Sequence, residues 1–529
     1  MKKNIILVLF ALTAVGVQAQ DTYLNDRATN TSDVIGTARY VGMGGAMGAL
    51  GADISVISNN PAGIGLIRRG MLSFTLGGQI NDAKPVYDDN RGSFTFDQIG
   101  FVFPFGDVSD DTRINFAFNY QKKINYNQIL FAEQPLGGLS QGDMFAWIAN
   151  TTYRINDKGQ YYFDSPFYDE LYKAGFFREH TNAEGDTYFR NTNRGETGRY
   201  YRNSSGSLQG YDFNVSGSVE DRWFWGLTFG VDHMIYRQSA SYEEWGDDSY
   251  VLYQEQKLKG YGFNIKGGVI MRPFEDSPFR VGVTVESPSW YILKHTALAG
   301  LSVAEGNCYT KPGYMDDDNY LEYNVYAPWK FRASFGSTIE DYFAWDVEYE
   351  YALNNYTKMG YPDMDDRYGY YDYQGSSISM TKDKGMNDMT KANIRGVHNV
   401  RAGFEVKPIQ QFALRAGYNF FSKPYKQDAR LDQTCETPAW DWSTSTDYIN
   451  LSATHLITLG IGYQGKHFFA DVSYKYRIQS GDFYAFDDHF TELNQSFIAE
   501  NPRLAGAALT PTEVNLNRHN IAVTLGYRF

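Results

Sequence analysis

The 529-residue chain has 48 basic and 62 acidic side chains, a formal net charge of −14, and two cysteines. It lacks the basic clusters of a nucleic-acid-binding protein, and no segment reaches the roughly 18 consecutive apolar residues of a membrane-spanning helix. Aromatic residues make up 16% of the chain, and there are 51 Gly. This composition is typical of an outer-membrane β-barrel with aromatic belts, although a large secreted all-β protein has a similar one.

The start of the chain has the features of a secretory signal peptide over residues 1–19. Lys2 and Lys3 precede an apolar stretch from Ile5 to Val17, and Ala19 ends a cleavage site of small residues. We therefore expect export through the inner membrane, and the final location of the mature chain is expected to be the cell outer membrane.

Residues 20–69 precede the first predicted strand, and we interpret them as an N-terminal hatch that plugs the lumen. A stretch rich in Gly and Ala includes Gly42, Gly44 and Gly45, and Asn60-Pro61-Ala62-Gly63 follows, where Asn-Pro indicates a turn. The preceding residues are too polar for the strand that a phosphate-binding loop requires, so a nucleotide site is rejected. Small side chains suit a segment whose backbone packs closely inside a narrow space.

Fourteen runs of about ten residues alternate between apolar and polar positions, as amphipathic strands do. The connections after even-numbered strands are short and those after odd-numbered strands are long. This alternation predicts an all-β fold, a 14-stranded antiparallel transmembrane β-barrel over residues 70–529, with tight periplasmic turns and long extracellular loops. The long loops are 123–209, 288–328, 354–395, 423–454 and 479–517. The predicted strands are 71–80, 94–105, 113–122, 210–220, 223–236, 258–272, 279–287, 329–339, 342–353, 396–407, 411–422, 455–464, 467–478 and 518–529.

The second predicted strand contains an irregularity. Phe94 and Phe96 share one parity, whereas Ile99 and the next apolar residues keep the other, so the pattern shifts at Asp97-Gln98. We interpret the shift as a β-bulge, which is either ordinary curvature of the wall or a local gap in it.

The last nine residues alternate up to the final residue, with Leu525, Tyr527 and Phe529 on the apolar face. An amphipathic strand that ends on an aromatic residue is typical of chains inserted by the barrel-assembly machinery. We expect this strand to pair with the first predicted strand and close the barrel.

Together these features resemble the FadL-type outer-membrane transporters of long-chain fatty acids and other hydrophobic compounds. The resemblance rests on fourteen strands after a hatch, on the Gly/Ala-rich stretch followed by Asn60-Pro61-Ala62, and on the aromatic last residue. The chain looks like a Bacteroidetes member, some of which are named hemin receptors. The resemblance implies transport without catalysis or a cofactor: capture of a hydrophobic small molecule at extracellular loops, hatch-gated passage, and lateral or periplasmic release.

The longest predicted loop contains two predicted helices with apolar faces. One starts at Ser140 with Asp143 in its first turn, and the other starts at Ser165-Pro166 and stops near Gly175. These helices either form a groove that captures ligand or only pack on each other to order the loop. The candidate capture residues are Met144, Phe145, Trp147, Ile148, Phe167, Leu171, Phe176 and Phe177.

Two other functions remain open at this point. A shuttle of the type IX secretion system would use a similar barrel to hold protein cargo. Hemin uptake could use His180 and His489, which are more simply explained as solvated loop residues. No Ser/His/Asp cluster indicates an enzyme, and a disulfide between Cys308 and Cys435 would need two loops to meet. We expect a monomer in contact with outer-membrane lipid and lipopolysaccharide.

Overall fold

A computed structural model describes residues 22–529, apart from 31–32, 83–90, 107–111, 158, 164–165, 184, 248, 304–319, 363–379, 432–444 and 494. The expected signal peptide, Ser165, Cys308 and Cys435 therefore lie outside the described residues. The described helices include none that is long and apolar enough to cross a membrane.

The main sheet closes into an antiparallel barrel of fourteen wall strands, as the sequence predicts. The last strand pairs with the first, from Met71 opposite Arg528 to Asn81 opposite Arg518, so this part of the wall has no free edge. The wall strands are β1 (Met71–Asn81), β2 (Gly92–Phe105), β3 (Thr112–Asn125), β4 (Gly195–Val219), β5 (Trp223–Gly246), β6 (Tyr250–Met271), β7 (Arg280–Glu286), β8 (Lys330–Ile339), β9 (Phe343–Ala352), β10 (Val397–Ile409), β11 (Phe412–Phe421), β12 (Thr454–Gln464), β13 (Phe468–Ile478) and β14 (Arg518–Arg528).

The apolar faces of the wall strands point outward. In β9, Val347 and Tyr349 are 37% and 44% exposed, whereas the alternating residues Asp346 and Glu348 are at most 1% exposed. A soluble sandwich would bury the apolar face instead, so this orientation is that of a transmembrane barrel with a polar lumen.

Short turns connect the wall strands at one rim, and the opposite rim has one short connection, residues 247–249 between β5 and β6, where the predicted alternation of loop lengths is wrong. Residues 220–222, 340–342 and 410–411 join β4 to β5, β8 to β9, and β10 to β11. This rim, which also holds Phe529, is the periplasmic rim of such a barrel, and the opposite rim is extracellular.

Three wall strands are much longer than the sequence predicts. β4, β5 and β6 contain 25, 24 and 22 residues and continue as paired strands beyond the outer apolar band. The predicted bounds of the loop 123–209 are therefore wrong at both ends, because β3 extends to Asn125 and β4 begins at Gly195.

The long connections fold into a cap over the extracellular rim. Ser140 caps its predicted helix with a complete capping box that includes Asp143, and a shared apolar core includes residues from the first and last long connections. The helices are α1 (Thr22–Thr29), α2 (Ala38–Gly42), α3 (Gln141–Thr152), α4 (Pro166–Lys173), α5 (Lys384–Asn393), α6 (Phe490–Leu493) and α7 (Gln495–Glu500), with 3-10 turns at Ile54–Ser58, Pro61–Leu66, Asn354–Tyr356 and Pro502–Leu504. The other strands are Gln128–Pro135, Tyr153–Ile155, Tyr161–Phe163, Arg178–Thr181, Thr187–Arg190, Trp290–Val303, Leu321–Tyr326, Lys358–Pro362, Met380–Lys382, Tyr448–Leu451, Ser480–Tyr484 and Thr512–Asn515.

Candidate functional site: the lumen and its wall

The residues before β1 lie against the inward-facing side chains of the wall, and we call residues 22–69 the N-terminal segment. Asp33 forms ion pairs with Lys475 of β13 and, at 3.5 Å, with Arg518 of β14. Arg39 pairs with Glu405 of β10 at 3.1 Å. Each of these charges on the N-terminal segment is paired with an opposite charge on a wall strand. Burying a charge without such a partner would be strongly destabilising.

Hydrogen bonds to the backbone of the N-terminal segment add further anchors. The amides of Ala49 and Leu50 both donate to Asp346 Oδ2 at 2.9 Å. Asn115 of β3 donates from Nδ2 to the carbonyls of Ile64 and Ile67, at 2.6 and 2.8 Å. Because the segment has little regular secondary structure, wall side chains satisfy backbone groups that would otherwise be buried without partners.

The predicted glycine motif lies where the N-terminal segment bends and approaches the wall. Gly44 and Gly45 have φ of 64° and 77°, a left-handed conformation that favours glycine. A Cβ on Gly42 would lie 3.1 Å from the Cα of Gly460, and one on Gly63 would lie 3.0 Å from the Cα of Gly51. Larger side chains at these positions would push the backbones apart.

The Asn-Pro-Ala motif forms the 3-10 turn that faces β5 and β6. Asn60 caps this turn by accepting from the Ala62 amide at 3.2 Å, and its Nδ2 donates to the Gly48 carbonyl at 2.9 Å. Pro61 and Ala62 press on the wall at Gly226. The motif thus closes one loop of the N-terminal segment and fits it to the wall.

The wall is complementary to the N-terminal segment because it carries inward-facing glycines at the contact points. A Cβ built on any of four such glycines would come within 2.1 to 2.4 Å of an atom of the segment. Without a side chain, the wall leaves room for a second layer of backbone. The four glycines are Gly226 of β5, Gly268 of β6, Gly403 of β10 and Gly417 of β11.

Substitution of Gly226 by Ala is expected to destabilise the folded protein. Its Cβ would lie 2.4 Å from the backbone of Pro61, and overpacking of this kind costs about 1–3 kcal/mol. The temperature at which the compact band on an SDS gel converts to the unfolded band measures this change. Gly267→Ala is the matched control, because a Cβ there meets no atom within 4 Å. Equal conversion temperatures for the two variants would contradict close packing of the N-terminal segment against Gly226.

The pairing register changes at the irregularity that the sequence indicates. Thr75 of β1 lies opposite Gln98, but Leu76 lies opposite Phe96, so Asp97 is the extra residue of a bulge. A second shift lies in β3, where Lys122 and Ile124 have partners in β4 and Lys123 is passed over.

Between these two bulges the wall splits. β2 and β3 pair from Phe105 opposite Ile114 only as far as Gln98 opposite Gln121. Beyond that point, within the described lengths of the two strands, no pairing joins Gly92–Asp97 to Lys122–Asn125, although each stretch stays paired with its other neighbour. We call this unpaired stretch the wall break.

The wall break has a polar inner edge and an aromatic outer edge. Lys122 Nζ lies 3.6 Å from Asp97 Oδ1 on the inner side. On the outer side, the rings of Phe96 and Tyr120 are 5.5 Å apart, and Phe94 is 77% exposed. The break is therefore bridged by side chains instead of backbone hydrogen bonds.

A first cavity, of about 90 Å³, lies in the lumen beside α1. Its lining combines apolar side chains with four arginines and a single carboxylate, that of Asp26. Two of the arginines, Arg202 and Arg518, already form ion pairs with the buried carboxylates of Asp447 and Asp33, so the arginines outnumber these carboxylates by one. The apolar side chains are those of Ile124, Val397, Phe421, Ile449, Leu451 and Leu516, and the arginines are Arg27, Arg202, Arg477 and Arg518. Such a lining suits an amphipathic anion.

A second cavity, of about 110 Å³, lies deeper and is more polar. Gln121, Lys122 and Lys123 line it, and these residues also form the edge of the wall break. Ile124 lines both cavities. The two cavities therefore adjoin each other and the unpaired stretch of β3.

The candidate capture residues lie in the core of the cap. The described side chains among them are at most 8% exposed, and Phe145 and Phe176 pack with ring centroids 6.1 Å apart. Phe167 lies on α4, and its side chain is outside the described part of the chain. This burial is what the packing interpretation predicts, and a capture role stays a prediction.

Burial also raises the pKa of Asp143, in the first turn of α3, to about 7, against the lowering effect of Arg503.

The other predicted residues occupy separate places. Leu525, Tyr527 and Phe529 are 38% to 55% exposed on the outer wall, and the Phe529 amide donates to the Gly70 carbonyl at 3.0 Å. His180 packs against Tyr188, and His489 bonds to Arg430. Among the described residues, no three His, Cys, Asp or Glu side chains form a group that could hold a metal ion.

Sequence reasoning did not single out the cavity arginines. Arg477 and Arg518 occupy the inward-facing parity of β13 and β14, which is a signal that strand alternation contains. Arg202 lies in the part of β4 that the sequence analysis assigned to a loop, and Arg27 lies in α1 of the N-terminal segment. No strand was predicted at either position, so alternation could not show which way either side chain points.

Comparison with known proteins gives matches only among solved structures. The scan against family models and the search of curated proteins return no match. A Pseudomonas aeruginosa FadL homologue aligns with 95% of this chain and 100% of its own at 11% identity and a TM-score of 0.49. The Ralstonia pickettii toluene transporter TbuX and the P. putida toluene transporter TodX each align with 94% of this chain and 99% of their own. Their identities are 12% and 10%, with TM-scores of 0.46 and 0.44.

Proposed function

We propose that this protein is a FadL-type transporter that takes up hydrophobic small molecules with an acidic head group, such as long-chain fatty acids, across the outer membrane. The observation that carries the proposal is the adjacency of the cationic, partly apolar first cavity and the wall break. Ile124 lines both cavities, and Lys122 belongs both to the second cavity and to the edge of the break.

The proposed path avoids exposing an apolar tail to water or polar sugar. Each CH₂ group kept out of water is worth about 0.8 kcal/mol, so a long alkyl chain needs a shielded route past the lipopolysaccharide layer. The ligand enters from the cap, its head group binds among the arginines of the first cavity, and its tail leaves sideways into the membrane through the wall break. No energy source is required, because the ligand moves down its gradient.

The N-terminal segment is the proposed gate, or hatch, of this path. Tyr23, Asp26, Arg27 and Asn30 belong to that segment and line the first cavity. A ligand in the cavity therefore contacts the element that fills the lumen. Ligand binding can displace the N-terminal segment only if the ligand binds the protein more tightly when the segment is displaced than when it fills the lumen.

Substitution of Arg477 by Gln is expected to weaken binding of oleate by about ten- to a hundredfold. Hydrogen bonds to a charged group contribute about 1.5–3 kcal/mol, and this guanidinium lines the first cavity. Titration of the detergent-purified protein with oleate and with oleyl alcohol measures the effect. The alcohol has the same tail without the charge, so its affinity should not change.

Lys466→Gln is the matched control for Arg477→Gln, because it removes one positive charge at a periplasmic turn. Equal losses for oleate and oleyl alcohol would show that Arg477 supports the fold instead of the head group. Native mass spectrometry of the gently purified protein distinguishes the classes of function. Bound lipid supports the transporter, and a bound secreted protein without lipid would replace it with a cargo shuttle.

A further inference from the structure

A groove crosses the outer, lipid-facing side of β3, β4 and β5, and we call it the outer groove. Its volume is about 630 Å³, which is in the usual range of ligand pockets. Two rows of outward-facing side chains form its edges, and the members of a row lie directly opposite each other on neighbouring strands. The upper row is Phe101, Phe118, Phe213, Phe229 and Ile265, and the lower row is Phe116, Val215 and Leu227.

The outer groove presents mainly hydrocarbon to an occupant. Asn214 and Thr228 lie at its floor, but they are at most 3% exposed, and Asn214 Nδ2 donates to Thr228 Oγ1 at 2.9 Å. The other residues that line the groove are Phe, Val, Leu, Ile and Ala. A polar group placed there would lose its hydrogen bonds to water without replacement, so the groove suits a hydrocarbon chain.

The aromatic rings of the upper row lie at an uncommon depth for such a barrel. Phe118 and Phe213 are each six residues from the periplasmic end of their strand. At about 3.3 Å per residue and a tilt of about 40°, they lie roughly 15 Å above the rim, in the middle part of the roughly 25 Å apolar band. Barrel aromatics are concentrated in girdles at the two edges of this band. At a similar depth β12 has Leu459 and β14 has Val523, which are aliphatic.

Tyr120 connects the outer groove to the wall break. Its ring centroid is 5.5 Å from that of Phe96, at the outer edge of the break, and 5.3 Å from that of Tyr211 of β4. Two residues lower on the same strands are Phe118 and Phe213, whose ring centroids are 5.2 Å apart. A continuous aromatic surface therefore leads from the wall break down to the upper row of the groove.

The vertical order of the wall break and the outer groove suits a chain that leaves tail first. Gln121 is the last β3 residue that pairs with β2 below the break, and Phe118 is three residues lower, about 10 Å along the strand. A tail that emerges at the break and turns towards the middle of the membrane passes Tyr120 and reaches the groove. The carboxylate end then stays on the head-group side of the apolar band.

We propose that the outer groove is a binding site for the hydrocarbon tail of the transported ligand as it leaves through the wall break. This inference rests on the proposed function, which supplies the ligand and its sideways exit. The aromatic rings hold the tail on the β3–β5 side of the barrel while the head group is still within the break. The tail therefore passes from the lumen to the wall surface and then into lipid, and it leaves towards β4 instead of β1.

The test uses the full-length protein in cells and a stearate analogue with a photoreactive diazirine at the end of its tail. Irradiation within seconds of addition, followed by mass spectrometry of the peptides, locates the tail. We expect severalfold more label at Phe118 and Phe213 than at Leu459 and Val523. The excess should disappear when a thiol cross-linker closes the wall break, because the tail then reaches the wall only from the surrounding membrane.

Substitution within the groove provides a second measurement. Phe118→Leu with Phe213→Leu is expected to slow uptake of labelled oleate by about threefold, because the shorter side chains make the groove shallower and remove its aromatic contacts. Phe331→Leu with Phe335→Leu removes two rings from the outer face of β8, where the native side chains are 43% and 46% exposed. This control should leave uptake unchanged.

Equal labelling of the outer groove and of β12 and β14 would overturn the inference, because the groove would then hold only bulk membrane lipid. Equal slowing of uptake by the two double variants would also count against it. If Leu451 and Leu516 of the first cavity are labelled while the groove shows no excess, the proposed function stands and only the outer groove fails. Absence of label from the first cavity as well would contradict the proposed function itself.

Discussion

Deletion of residues 20–65 is expected to leave a barrel that assembles but conducts ions on the order of tenfold better than the full-length chain. Fourteen strands enclose a lumen wider than the eight-stranded barrels that side chains alone can fill. In the full-length protein that width is occupied by the N-terminal segment, held to the wall by Asp33, Arg39 and the Asp346 carboxylate. Single-channel recording in planar bilayers measures the change.

Folding of the deleted chain is checked separately by its heat-dependent migration on an SDS gel. Asp346→Ala provides a smaller change, because it removes the acceptor of the Ala49 and Leu50 amides and leaves the segment in place. An intermediate leak is expected for it. Conductance of the deleted chain equal to that of the full-length protein would show that the segment is not the gate.

Closure of the wall break by a reducible thiol cross-linker is expected to abolish fatty-acid uptake in cells. Asp97→Cys with Lys122→Cys, in a Cys308→Ser and Cys435→Ser background, places a thiol on each edge of the break. Lys122 Nζ and Asp97 Oδ1 lie 3.6 Å apart at the ends of side chains longer than cysteine, so a bifunctional thiol reagent with a reducible spacer is used to join the two positions. Labelled oleate uptake should fall after cross-linking and return on reduction, because the tail can leave sideways only while the edges can separate.

The matched control cross-links the same two strands on the periplasmic side of the wall break. Phe103 and Phe116 are already directly opposite each other in the paired part of β2 and β3, so Phe103→Cys with Phe116→Cys should not change uptake. Uptake that survives closure of the break, with binding of oleate intact, would redirect the exit through the lumen to the periplasm.

The barrel could be predicted in detail because its signals are local. Alternation along each strand gave all fourteen wall strands, and the lengths of the connections gave the periplasmic rim. The parity shift at Asp97-Gln98 marked a bulge to within one residue, since a single extra residue moves every later side chain to the other face. Above the apolar band the outer face becomes polar and the alternation disappears, so the upper halves of β4–β6 were missed.

The candidate site depends on residues that are far apart in the chain. Arg27, Arg202, Arg477 and Arg518 line one cavity although they come from the N-terminal segment and three wall strands. The capture residues were selected for an apolar face, but the same apolarity packs them into the cap core. An apolar helix face has the same pattern whether it binds a ligand or another part of the chain.

By itself the sequence determined the strand number, the side of each strand that faces lipid, the closure of β14 on β1, and the irregular residue in β2. These follow from period-two alternation and chain length, which involve only neighbouring positions. The tertiary structure decided which charges meet in the lumen, how the N-terminal segment fits against wall glycines, and whether the bulge curves or opens the wall. A gap exists only where two strands fail to pair, and that is a relation between strands, so neither strand's sequence contains it.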